Sequence, residues 1–168
     1  MIDDENNSGD PVAPAPATSR ADASDPLAIF ETSPAETSGV WADVEDPRNG
    51  DLLLKMKLAH FGGVNNTAII REERKLKAKL PQGQRRQIDA GAGDPEVVQR
   101  MNRQLFVRVS CLDWEMVNPQ LKQKWGDFSQ ERCDELFEAY PKVYQMLSEA
   151  AIDEQNYALD RIKDTTGN

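Results

Sequence analysis

His60 is the only histidine in this 168-residue chain, and an imidazole is the natural general base for chemistry near neutral pH. No serine or cysteine stands beside it in a nucleophile motif. It continues the parity of Leu54, Met56 and Leu58, so the sequence predicts a histidine of the core or its rim. Just beyond it, "GGVNN" (62–66) could present backbone N–H groups to an anion. The stretch lacks the Gly-Lys-Ser/Thr ending of a P-loop and the spacing of a dinucleotide fingerprint. It reads instead as a strand-to-helix turn with glycine at positive φ.

Asp113 and Glu115 bracket Trp114, and two carboxylates can flank a scissile bond in acid–base hydrolysis. On the helix expected here, residues two apart do not share a face. Trp114 is therefore expected as a core anchor at a helix end, with both acids solvated. Cys111 and Cys133 form no CxxC and have no second histidine, so they are expected as buried, reduced thiols rather than metal ligands. No catalytic residue, cofactor or metal ligand is assigned.

The stretch after the glycines is chemically louder. Arg71, Arg74, Lys75, Lys77, Lys79, Arg85 and Arg86 stand against only Glu72 and Glu73. The run reads first as a solvated helix face, next as a docking face for an acidic protein segment, and third as a nucleic-acid surface. No aromatic residue interleaves it, so bases would find no stacking platform.

The elements that must carry these residues follow from pattern. Residues 1–25 are Asp, Asn, Pro, Ala and Ser with almost no apolar bulk, and read as a disordered acidic tail. Leu27, Ile29 and Phe30 then form an anchoring segment, and "TSP" at 32–34 a turn or helix start. Alternation on both sides of "DPRNG" predicts a β-hairpin over 39–60, with Asn49-Gly50 tolerating positive φ. No comparable second strand pair is apparent. Helices are expected at about 66–80, 95–112, 130–139 and 141–162. The first starts at Asn65 or Asn66, the second is capped by Asp94 with Pro95 at its first turn, and the fourth opens at Pro141. Residues 81–93 read as a loop with room for a short turn at 84–89, and 118–130 as an irregular connection with Trp125 and Phe128 lying on the core. The fold class is thus α+β, mainly α, as one small domain over 26–164: an N-terminal hairpin followed by about four helices.

Charge is segmented along this order. The net charge is −9, yet residues 51–108 hold twelve basic and six acidic side chains, while the segments before and after are acidic. Such a chain can pair its own segments or offer faces of opposite sign to partners. Overall acidity argues against general nucleic-acid binding. No run approaches the length of a membrane span, and the first residues have no basic or apolar region of a secretory signal, so a soluble intracellular protein is expected.

The segments "IFETSPAETSGVWADVED", "LLLKMKLAHFGGVNN", "VRVSCLDWEMVN", "WGDFSQERCDELFEAYPKVYQMLSEAA" and "EQNY" occur here in that order. In this ordered set, over about residues 27–160, the chain resembles the tail assembly chaperones of tailed bacteriophages. The resemblance implies a non-enzymatic protein of the host cell cytoplasm that binds the tape measure protein, helps recruit tail tube subunits, and is absent from the finished particle. Self-association is a further partner reading; nucleic acid and membrane are not expected. Where that family often has a basic residue before the glycines, this chain has His60-Phe61, so no binding role transfers to that side chain. Rival readings are a structural virion protein of the tail or head–tail connector, a nucleotide-binding protein using "GGVNN", and a host-directed phage inhibitor.

Overall fold

A computed structural model describes residue 36, residues 38–62 and residues 67–157, all within the compact unit Thr32–Asn168. The expected tail, the anchoring segment of Leu27, Ile29 and Phe30, the turn at Gly63 and the caps Asn65 and Asn66 lie outside the described residues. So do the residues from 158 onward, which include the end of the helix expected to reach 162. The chain is mainly helical, with a small antiparallel sheet of three strands.

The hairpin forms where alternation placed it. β1 (Val40–Glu45) pairs antiparallel with β2 (Leu52–Leu58), in a register that sets Trp41 opposite Lys57 and Asp43 opposite Lys55. At the turn Asp46 accepts from the backbone N–H and the guanidinium of Arg48, and Gly50 takes the left-handed conformation at φ 76°. Glycine is also required at Gly39, where φ is 80° and a Cβ would stand 2.8 Å from Leu112 Cδ1.

α1 (Thr67–Ala78) and α2 (Gln82–Asp89) lead to α3 (Pro95–Val109), whose N-cap Asp94 accepts from the Glu96 N–H. Here the structure departs from the expected helix over 95–112. The helix stops at Val109, and residues Cys111–Met116 form a third strand, β3, beside β2. Ser110 makes the switch: its buried hydroxyl donates to the Ala59 carbonyl at 2.6 Å, and its own carbonyl accepts from the Ala59 N–H at 2.8 Å. This clamp fixes the end of β2 to the helix exit, so the chain can only continue along the sheet. A register irregularity at Lys57/Leu58 leaves Leu112 as an extra residue between pairs Leu58–Cys111 and Lys57–Asp113. That bulge broke the period-two pattern, and Leu112 continued the helical spacing of Met101, Leu105 and Val109.

The remaining departures are two helices where connections were expected. α2 has only Ile88 as a large apolar residue, so it showed no stripe. α4 (Pro119–Trp125) is capped by Asn118, whose side chain accepts from the Gln120 and Leu121 N–H groups, and Gly126 ends it at positive φ. α5 (Gln130–Ala139) begins at Ser129, and α6 (Pro141–Ile152) breaks at Asp153, after which residues 155–157 are helical again. Between residues 40 and 152 the structure therefore carries two more helices and one more strand than the sequence pattern predicts.

Strand alternation gives the sheet one apolar face. Val44, Leu54, Met56, Leu58, Cys111, Trp114 and Met116 point into a core closed by Phe106, Leu136, Phe137 and Leu147 of the helices. Phe106 is fully buried and meets Phe61, Phe137 and Tyr144 at ring distances of 5.3, 5.8 and 5.7 Å. A smaller cluster of Leu76, Met101 and Leu105, with Ile69, Leu80 and Ile88 around it, binds α1 and α2 to α3. Phe61 touches both clusters and joins them.

Candidate protein-binding surface

The seven cations of 71–86 lie on α1, α2 and the short link between them, and the structure divides them into two groups. In the first group the charge is already answered. Lys75 Nζ is 2.6 Å from Glu72 Oε1 and Arg71 Nε is 4.0 Å from the same oxygen. Arg108 of α3 approaches Glu72 from the other side at 3.8 Å, so this carboxylate joins three cations and two helices. The Lys75 hydrogen bond, with the nearby charges of Lys75, Arg108 and Arg71, holds the Glu72 carboxyl below its ordinary range. Lys77 lies between Glu73 at 3.0 Å and Asp89 at 3.1 Å, tying α1 to α2. The hydrogen bonds that its ammonium donates to both carboxylates raise its pKa.

The second group is Arg74, Lys79, Arg85 and Arg86. All are exposed, and none makes an ion pair among the described residues. Arg74 stands one helical turn beyond Ile70, an isoleucine left 44% exposed. The inward face of this pair of helices is fixed by Leu76 and Ile88 packing against α3, which turns the free cations outward. Arg100 on α3 is a further exposed cation with no ion pair among the described residues. In sequence Arg100 stands apart from the run of 71–86, with Asp89, Asp94 and Glu96 between them, so only the fold brings it into view. Guanidinium groups with no internal partner can take carboxylates in two-point contacts, and a neighbouring exposed isoleucine adds apolar area.

The other residues singled out by chemistry are placed as follows. His60 follows β2, with Nε2 3.3 Å from the Ile152 carbonyl and its ring edge-on to buried Tyr157 at 5.0 Å. Tyr157 in turn donates its hydroxyl to the Leu58 carbonyl at 3.3 Å. Asp113 and Glu115 stand on a strand, not a helix, so they do share a face. They point outward opposite Lys57 and Lys55, and with Asp43 they form a cross-strand ladder of alternating charge. Trp114 is buried, donating its indole N–H to the Gly126 carbonyl at 3.0 Å. Cys111 and Cys133 are free and buried in the core, and burial together with the neighbouring Cys133 thiol pushes the Cys111 thiol well up. Among the described residues no three His, Cys, Asp or Glu side chains gather as a metal site, and no helix is long and apolar enough to cross a membrane.

Compared with protein-family models, with curated proteins and with solved structures, the chain shows no match.

Proposed function

We propose that this chain is a non-enzymatic tail assembly chaperone of a tailed bacteriophage, which binds the tape measure protein in the host cytoplasm and helps recruit tail tube subunits. The ordered set of segments described above supports the reading at the level of the chain. The observation that carries it at the level of the surface is the group Arg74, Lys79, Arg85 and Arg86, exposed on α1 and α2 without internal ion pairs. A chain with net charge −9 that leaves cations unneutralised on one pair of helices has a surface suited to an acidic, amphipathic helical client. Ile70 beside Arg74 offers such a helix an apolar contact. Charged contacts of this kind speed association more than they deepen affinity, which suits a protein that must let its client go.

The reading narrows the docking set proposed from sequence. Lys77 ties α1 to α2 and Arg71 and Lys75 are spent on Glu72 within α1, while Arg74, Lys79, Arg85 and Arg86 face the client. Co-expression with the tape measure protein tests it: the two are expected to co-purify, and mass spectrometry of purified particles is expected to find the client and not this chain. Recovery of the chain as a stoichiometric particle component would overturn the chaperone reading in favour of a structural virion protein.

A further inference from the structure

Lys124, Trp125 and Tyr140 meet where the end of α4 faces the joint between α5 and α6. The Lys124 ammonium lies 5.0 Å from the Trp125 ring centre and 5.6 Å from that of Tyr140, with Nζ 3.4 Å from the Tyr140 hydroxyl. The two rings stand edge to face, 6.5 Å apart. Among the described residues no carboxylate reaches this ammonium, although the segment around it is acidic. Trp125 is 8% exposed, and its indole N–H is the one buried side-chain polar group among the described residues with no hydrogen-bond partner. A buried donor left unmade is costly, and native proteins rarely keep one without a use. Tyr140 also precedes α6 as its N-cap, where its carbonyl accepts from the Val143 and Tyr144 N–H groups and its side chain makes no capping bond, so the hydroxyl proton is left for another acceptor. Lys122 and Lys142, both exposed and without ion pairs among the described residues, add positive charge on the flanking turns.

An ammonium without a counter-ion and an orphaned donor both call for the same thing, an anionic acceptor. We propose that Lys124, Trp125 and Tyr140 form a second docking point, which receives a glutamate or aspartate carboxylate from an acidic protein segment. The carboxylate accepts from Lys124 and the Tyr140 hydroxyl, and the aromatic rings pack against the aliphatic stem that carries it. The indole N–H, buried and without a partner in the unbound protein, donates to an oxygen of the same segment on binding. Aromatic rings beside a cation are the side chains that dominate protein interfaces, whereas a free inorganic anion makes no use of them. This site is distinct from α1 and α2, and it holds whether or not the client is a tape measure protein.

The full-length chain labelled with ¹⁵N shows each tryptophan indole as a separate resonance, and Trp125→Phe identifies the one that matters. Titration with an acetylated, amidated tetra-glutamate peptide is expected to shift the Trp125 indole in a saturable way while Trp41, on the sheet, stays still. Lys124→Met keeps the stem and removes the charge, and is expected to weaken the peptide by about tenfold. Tyr140→Phe is expected to weaken it by a smaller factor with the fold intact. Trp125→Phe is expected to leave the melting temperature unchanged or higher, because an unsatisfied donor is lost, while weakening the peptide. The indole shift is expected to persist when Arg74, Lys79, Arg85 and Arg86 are all changed to Glu, which separates this site from the client surface. An unmoved indole, unchanged affinity in Lys124→Met, an equal response to inorganic phosphate, or loss of the shift in the quadruple variant would each overturn the proposal.

Discussion

Ser110 shows how one side chain redirects the chain. Its hydroxyl satisfies the Ala59 carbonyl in a site with no exposure, and the same two residues exchange a backbone hydrogen bond. Ser110→Ala leaves that carbonyl short of a partner, and is expected to cost about 1–3 kcal/mol in urea unfolding. Asp46 carries a second prediction at this scale. Hydrogen bonds from the Arg48 side chain and backbone, with that cation's charge, hold its carboxyl down at about 2. The folded value lies below the unfolded one, so the contribution of this turn is complete above about pH 4 and is lost as pH falls toward 2. Thermal melts between pH 5 and pH 2 are expected to show that loss, and Asp46→Asn is expected to flatten it. The two side chains were not equally visible in the sequence. "DPRNG" announced a turn through residue types with known backbone preferences, whereas a serine that ends a helix through a contact 51 positions away has no local signature.

At the scale of elements, legibility followed the strength of local periodicity. β1, β2 and the first, third, fifth and sixth helices could be read because their apolar residues repeat at the period of the element they form. β3 could not, since Leu112 extended a helical spacing beyond the true helix end and the bulge beside it hid the alternation. α4 was legible in principle: Asn118 before Pro119 is a capping residue before a first-turn proline, but the nearby Gly126 suggested a loop. α2 had no stripe to find. The contacts between elements were beyond sequence altogether. Arg103 of α3, 13% exposed, holds Asp134 of α5 at 2.6 Å and reaches Glu138 at 3.6 Å. Arg103→Met is expected to destabilise by about 1–3 kcal/mol, because it strands a half-buried carboxylate. A double-mutant cycle with Asp134→Asn measures the coupling. Lys75→Met, which breaks an exposed pair within one helix, is expected to cost under about 0.5 kcal/mol.

For the whole molecule, charge segmentation along the chain becomes charge placement on a surface. The basic stretch was visible as a run of residue types, but which of its members are spent inside the fold depended on Glu72, Glu73 and Asp89 meeting them in space. Reversal of Lys77 is therefore expected to loosen the contact between α1 and α2 and lower the melting temperature. Reversal of Arg74, Lys79, Arg85 and Arg86 is expected to leave melting nearly unchanged and to act on the client instead. The most direct measurement is the amount of soluble tape measure protein that co-elutes with the tagged chain after co-expression, for the natural sequence and for the variant with those four residues changed to Glu. The account predicts abundant co-elution with the natural chain and a loss of about tenfold or more with the variant. Failure of the tape measure protein to co-elute with the natural chain would contradict it.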